Sequence, residues 1–226
     1  MPHIIWDWNG TLLDDTEAAL KTLNIMITER GGKPIDMRFY LDNFAFPVRP
    51  FYDTIGIIAK DEDEWDYIAH EYHEVYLRQQ KGLNRGAIAA LESAKAAGCG
   101  QSILSALRQD LLEEQTAEYG IAGYFEGVYG SNNLDGASKL DRARELISRL
   151  STQSTNPPTL NPPTHQPASF VLIGDALHDK EVADAIGVPC ILCAQGSHAA
   201  WRLREVAPTV ETLADAVRAA LKITVA

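Results

Sequence analysis

An α/β fold is predicted: a doubly wound parallel sheet with an inserted, all-helical block. Three observations point to it. The apolar runs Ile4-Ile5-Trp6, Ile103-Leu104 and Phe170-Val171-Leu172-Ile173 read as strands buried on both faces. From Gly86 onward strand and helix signals alternate, which implies parallel strands joined by crossover helices. Between Thr16 and Arg85 the pattern is helical throughout, with no strand signal. The three apolar runs end on Asp7, Ser105 and Asp175. In an open parallel sheet the ligand crevice lies at the carboxyl ends of the strands, so these polar tips predict one site at one edge.

Taken in order, the first strand is followed by an Asn9-Gly10 turn signal. A helix follows, with Ala18-Ala19-Leu20, Leu23 and Ile25-Met26-Ile27 at helical spacing, stopped by Gly31-Gly32-Lys33-Pro34. Further helices are expected near Met37–Asn43, Arg49–Ala59 and Asp61–Gln80. The α/β part then runs helix Ala87–Ala97, strand Gln101–Ser105, helix Gln109–Tyr119, strand Gly127–Gly130 and helix Ser138–Leu150. It continues with strand Ser169–Ile173, helix Asp179–Ile186, strand Pro189–Cys193, strand Pro208–Val210 and helix Glu211–Lys222. Residues 1–15 and 86–226 thus form the sheet domain and 16–85 the helical insert. Residues 151–168, rich in Pro, Thr and Ser, contain Asn-Pro-Pro-Thr twice. Proline denies them helix or ladder bonding, so an extended or mobile loop is expected, at the sheet end opposite the site.

The chain has 226 residues, enough for a large core. A net charge of −11 disfavours nonspecific binding to nucleic acid or to anionic membrane surfaces. No apolar run approaches membrane-spanning length, and the first strand begins too early to leave room for a signal peptide, so a cytoplasmic protein is expected. Cys190-Ile191-Leu192-Cys193 has the spacing of a redox or zinc motif. On a strand, however, positions three apart face opposite ways, so two small core residues are the better reading.

A carboxylate at the tip of a buried strand is costly unless paired. There it can act as a nucleophile or a metal ligand. The Asn9-Gly10-Thr11 turn can offer backbone N–H groups to an anion. Asp175 and Asp179 stand four apart where a strand enters a helix. With Asp7 they make an oxygen-rich pocket suited to Mg²⁺. Ser105 and Lys139, beside helix N-termini, can hold phosphate oxygens. Singly, each has a plain alternative: a solvated helix start, a strand-end hydroxyl, a surface lysine. Together, at strand and helix ends, they suit phosphoryl transfer.

In this order, Asp7-Trp8-Asn9-Gly10-Thr11-Leu12, Ser105, Lys139 and Gly174-Asp175 with Asp179 resemble the haloacid dehalogenase (HAD) superfamily, whose members are mostly Mg²⁺-dependent phosphatases. The helical block after the first segment is similar to the cap of the phosphoglycolate phosphatase-like branch. The resemblance implies a Rossmann-like core under a helical cap. It implies that Asp7 attacks phosphorus to form an aspartyl-phosphate. Gly10, Thr11, Ser105, Ala106 and Lys139 would surround the phosphate. Asp7, Asp175, Asp179 and the backbone carbonyl of Asn9 would hold Mg²⁺. The family's acid two positions after the nucleophile, which protonates the leaving group and then activates water, is here Asn9. An amide cannot trade a proton at neutral pH, and such catalysis contributes about 10²–10⁴-fold. Two functions follow: a slowed phosphatase of a small phosphorylated metabolite, or a weakened relative that binds a phosphorylated ligand or a partner protein. Arg49 is a candidate for a second anionic group on the substrate, with a surface or structural arginine as the alternative. His178 and His198 are expected as solvated histidines at the edge of the site.

Overall fold

The computed structural model describes residues 1–131, 139–152 and 169–223. Six parallel strands form the main sheet: β1 (His3–Trp6), β4 (Gly100–Arg108), β5 (Gly127–Ser131), β6 (Phe170–Gly174), β7 (Cys190–Cys193) and β8 (Thr209–Val210). Their order is β5-β4-β1-β6-β7-β8. From β1 the chain winds to one side through β4 and β5, then returns to build the other side from β6. The winding reverses beside β1, which is where an open α/β sheet places its ligand crevice. Pairing of Trp6 with Ile103 and with Ile173 brings Asp7, Ser105 and Asp175 to one level.

Helices cover both faces of the sheet. α5 (Ala87–Ala96), α6 (Gln109–Glu118) and α10 (Leu213–Ala220) contribute to the apolar cluster that contains Ile4, Trp6 and Ile173. α7 (Lys139–Thr152), α8 (Leu177–Ala185) and α9 (Ala200–Arg204) contribute to the one that contains Ile5, Leu104 and Leu172. The alternation of Ile4 and Ile5 between clusters is the period-two geometry of a strand buried on both faces. Cys190 and Cys193 separate in the same way, and both are buried free thiols. Two core tryptophans have their polar edges satisfied: Trp6 Nε1–H donates to Gln101 (3.0 Å) and Trp8 Nε1–H to Gln115 (2.8 Å).

Between Asp14 and Gly82 the chain forms α1 (Thr16–Glu29), α2 (Met37–Asn43), α3 (Val48–Thr54) and α4 (Glu62–Leu77), packed around Leu23, Met26, Tyr52 and Ile68. Asp36 and Asp61 cap α2 and α4, accepting from Phe39 N–H and Glu64 N–H. α3 is shorter than the expected 49–59 because Gly56 takes a left-handed φ of +81°, which ends the helix.

Three other expectations are corrected. The helical block is bounded by a strand pair, β2 (Leu13–Asp14) with β3 (Gly82–Leu83), antiparallel and two residues long. A two-residue strand has no periodicity to read. α9 was not expected: at five residues it is too short for a helical repeat to show. Residues 151–152, assigned to the Pro-rich loop, complete α7. The rest of that loop, 153–168, lies outside the described residues, as does Ser138. Among the described residues no helix is long and apolar enough to cross a membrane.

Asn84 fastens the junction of the two parts. Its Nδ2 donates to the carbonyls of Gly10 (2.9 Å) and Thr11 (2.8 Å), and its N–H to the Leu12 carbonyl (2.8 Å), all buried. Asn84→Ala is expected to strip two buried carbonyls of their donor. The cost should be about 2 kcal/mol, seen as a lower urea midpoint with unchanged slope.

Candidate phosphoryl-transfer site

Asp7 leaves β1 where its neighbours also end, and its N–H donates to the Ile173 carbonyl (2.8 Å). Lys139, at the start of α7, sends its ammonium to Asp7 Oδ1 (2.6 Å) and Asp179 Oδ1 (2.6 Å). Asp179 lies in the first turn of α8, and its other oxygen accepts the N–H groups of Asp175 (3.1 Å) and Ala176 (3.0 Å). Thr11 Oγ1 lies 3.2 Å from Asp7 Oδ2 and 3.1 Å from Asp175 Oδ1. Asp175 Oδ2 accepts from Ser197 N–H (2.6 Å) and Ser197 Oγ–H (2.7 Å). Every carboxylate of the group is therefore held in one orientation, and all three are buried.

Carboxylate oxygens of Asp7, Asp175 and Asp179 lie within 4.8 Å of one another. Three acids against the one ammonium of Lys139 leave two negative charges, which a divalent cation would balance. The electrostatics agree. Burial, followed by repulsion from Asp179, pushes Asp175 up to about 6. Burial with the other two carboxylates holds Asp7 well above the ordinary range, outweighing Lys139. Burial would raise Asp179 too, but the charge and hydrogen bond of Lys139 keep it below its usual value. Burial opposes the charge on Lys139, yet its two carboxylate partners hold it above the normal lysine value. The donor set fits a hard divalent ion such as Mg²⁺.

The turn after β1 departs from expectation. Gly10 N–H donates to Asp15 Oδ1 (2.7 Å) and the Leu13 carbonyl (2.9 Å), and Thr11 N–H to the Trp8 carbonyl (3.2 Å). Neither N–H is available to an anion, because the turn uses both to close on itself. Gly10 serves close approach instead. Its φ is +76°, and a Cβ there would overlap the Asp175 carboxylate. Thr11 acts through its hydroxyl. Ser105 and Ala106 do face the cavity. Ser105 Oγ accepts from Leu107 N–H (3.0 Å), leaving its own proton to donate outward.

Asn9 faces the helical insert. Its Nδ2 donates to Asp15 Oδ2 (2.8 Å) and lies 3.0 Å from Tyr76 Oη, while Tyr76 O–H donates to the same Asp15 oxygen (2.5 Å). Asp15 precedes α1 and Tyr76 lies in the last turn of α4, so this triangle joins both ends of the insert to the turn. Burial raises the Asp15 carboxyl above its ordinary value, against these donors.

Above the carboxylates lies a cavity of about 180 Å³, whose floor includes Asp7, Ser105 and Lys139. Arg49 is not among its lining residues. It pairs with Glu62 (2.7 Å) and lies over the Trp65 ring (5.2 Å), so the structure supports the structural reading of that residue. His178 does edge the cavity, stacked on Phe46 at 5.2 Å. His198 is not solvated: it is 3% exposed, packs on Phe44, and burial lowers its pKa to about 3. Asp15, Tyr76 and Ser197 went unread in the sequence. Only Ser197 left a usable trace, because it follows β7 at the carboxyl edge of the sheet.

The sequence profile described as "Haloacid dehalogenase-like hydrolase" matches residues 4–193. A phosphoglycolate phosphatase of Rhodobacter capsulatus is 24% identical over 203 residues, covering 86% of this chain and 85% of that protein. A predicted phosphatase from Clostridium acetobutylicum superposes with a TM-score of 0.75 at 19% identity, covering 98% of this chain and 99% of that one. A predicted phosphoglycolate phosphatase from Haemophilus somnus gives 0.70 at 15% identity, with 97% and 98% covered. Protein Tyrosine Kinase A of Mycobacterium tuberculosis gives 0.74 at 20% identity, with 98% and 99% covered. At these identities the structural likeness establishes the fold alone, and proteins named for opposite reactions share it.

Proposed function

Because the chain belongs to the haloacid dehalogenase-like hydrolases, we propose that it is a Mg²⁺-dependent phosphatase of a small phosphorylated metabolite, working through an aspartyl-phosphate on Asp7. The observation that carries this reading is the buried trio Asp7, Asp175 and Asp179, with Lys139 bonded to two of its members. The phosphoglycolate phosphatase relative supports it.

Lys139 fixes Asp7 and offsets part of its charge, so that one Asp7 oxygen can attack phosphorus as the ester P–O bond breaks. Ser105 Oγ–H is placed to donate to a phosphoryl oxygen. Asp175, Asp179, Asp7 and the Asn9 carbonyl would hold Mg²⁺, which supplies charge neutralisation of the phosphoryl group. Water then attacks the phosphorus of the acyl phosphate, breaking the Asp7–phosphorus bond and freeing Asp7. Asn9 supplies no proton, so the departing oxygen takes one from solvent and the attacking water loses one to it. Residues 1–15 and 86–226 make the catalytic part in this reading, and 16–85 the cap over it. A panel of small phosphate esters with and without Mg²⁺ tests it. Absence of Mg²⁺-dependent phosphate release from every ester overturns it. The engagement of Asn9 by Asp15 and Tyr76 favours the second reading, a weakened relative that binds a phosphorylated ligand.

At a concentration a hundredfold above its Kd at pH 7.5, Mg²⁺ should stabilise the protein by about 2.7 kcal/mol, and the same concentration should stabilise it less at pH 5. Asp175 is raised from 3.8 to about 6. A raised carboxyl supports the metal-free fold at low pH, where it is protonated, and that support is lost as pH rises through about 6. Mg²⁺ replaces the proton and must compete with it below that pH. Melting curves at both pH values, with and without Mg²⁺, measure this. An equal shift at both would contradict metal binding at Asp175.

A further inference from the structure

The floor of the cavity is charged, and its walls are mostly apolar. Leu23, Phe44, Val48, Tyr52, Trp65 and Tyr72, all from the helical insert, line the space above Asp7. Among the described residues no lysine or arginine of residues 16–85 lines it. Cations of the insert are engaged elsewhere, Arg30 with Glu71 and Arg49 with Glu62. Among the described residues the one acidic side chain on the insert side of the cavity is Asp15, buried and bonded to Asn9 and Tyr76. A carboxylate on the leaving alcohol, as in phosphoglycolate, would therefore lose its water among aromatic rings, face a second carboxylate and find no lysine or arginine of the insert to pair with, only the imidazoles of His73 and His178. A flat apolar group gains what the carboxylate loses. At about 180 Å³ the space compares with the roughly 150 Å³ engineered cavity of another protein that accepts benzene. The buried Thr16 Oγ1, on a residue that also lines the cavity, has no hydrogen-bond partner among the described residues and is available to one substrate oxygen.

A second observation is independent of the walls. Asn9 cannot protonate a leaving group. An alkoxide needs that proton, whereas a phenolate does not: a phenol ionises near pH 10, far below an alcohol. A site without an acid at this position still serves an ester whose leaving group departs as the anion.

Resting on the phosphatase reading above, we propose that the substrate is a phosphate monoester of a single-ring, uncharged phenol, its ring held by the aromatic wall and its phosphoryl group by the carboxylate floor. In the first step the Asp7–phosphorus bond forms, the aryl P–O bond breaks, and the phenolate leaves with the bonding pair and takes a proton from solvent.

Binding separates ring recognition from leaving-group chemistry. With Mg²⁺ present, calorimetric titration with phenylphosphonate, phosphonoacetate and orthophosphate should show phenylphosphonate tightest, by at least about tenfold over phosphonoacetate, as expected for burying one ring. In turnover, phenyl phosphate should exceed benzyl phosphate, which presents the same ring on an alkyl oxygen, by about 10²-fold or more. Phosphocholine tests whether the rings select a cation instead. Ala69→Arg, on the cavity wall in α4, should weaken phenylphosphonate and strengthen phosphonoacetate, with orthophosphate binding reporting an intact floor. If orthophosphate binds but the phenyl ring adds nothing, or if phosphocholine or phosphoglycolate is the best substrate, this inference falls and the phosphatase reading stands. If neither orthophosphate nor any phosphonate binds, and no ester is hydrolysed, the phosphatase reading falls and takes the inference with it.

Discussion

Asp7→Asn should abolish phosphate-ester turnover, by at least about 10⁴-fold, while leaving the fold intact. The change is nearly isosteric and removes the nucleophile together with one negative charge. Lys139 keeps its second partner, Asp179, at 2.6 Å, so the buried ammonium is not orphaned. Asp7 is held above the ordinary carboxylate range by burial and its acidic neighbours, so its ionised form strains the metal-free fold. Losing it should leave the melting temperature of the metal-free variant at neutral pH equal to or above that of the parent. The Mg²⁺-induced shift should shrink in the same variant. Retained turnover would exclude an aspartyl-phosphate on Asp7. A collapsed melting temperature would mean that Asp7 is structural.

Restoring the missing acid should require two substitutions. Asn9→Asp alone would turn a 2.8 Å hydrogen bond to Asp15 into a contact between two carboxylates, which cannot both ionise at that distance. The single variant should melt lower than the parent and change kcat by less than about tenfold. Asn9→Asp with Asp15→Ser removes the repulsion while keeping an oxygen at position 15 for Gly10 N–H and Tyr76. That double variant should raise kcat on alkyl phosphates by roughly one to three orders of magnitude, with a much smaller gain on aryl phosphates. Asp15→Ser alone is the control and should show no such gain. The gain belongs in kcat, because the added proton transfer occurs in the transition state. A folded, Mg²⁺-binding double variant that hydrolyses nothing would replace the enzyme by a binding protein.

The positions of the carboxylates could be anticipated because each sits at a strand tip or in a first helical turn, where local pattern and topology agree. Asp7 and Asp175 follow apolar runs, and Asp179 follows Asp175 by one helical turn. Lys139 could be placed by its helix start, though its burial between two acids could not. What escaped the sequence comes from tertiary packing. Tyr76 reaches Asp15 across 61 residues, through the packing of α4 on α1. The sequence leaves Arg49 open between an anion receptor and a surface or structural arginine, and its neighbour thirteen residues on, Glu62, holds it. The expectation that Gly10 and Thr11 offer N–H groups failed because the short turn satisfies its own donors. The aromatic wall draws on residues scattered over α1 to α4, with nothing in their spacing to say that they face one space.

The pairing of Leu13–Asp14 with Gly82–Leu83 brings the two ends of the helical insert side by side. Covalently, an insert whose ends meet at one place counts for the rest of the chain as one long loop, and each doubling of a loop's length costs only about 0.6 kcal/mol. Chain closure therefore constrains weakly what is attached at that point. Asp7, Lys139, Asp175 and Asp179 make no use of the insert for their mutual contacts, and the aromatic part of the cavity wall comes from it. In the proposed reading, chemistry and substrate choice are thus encoded in separable stretches of one gene. On that reading, exchange or drift of the inserted stretch would retarget such a protein to a new leaving group without the reacting groups being invented again.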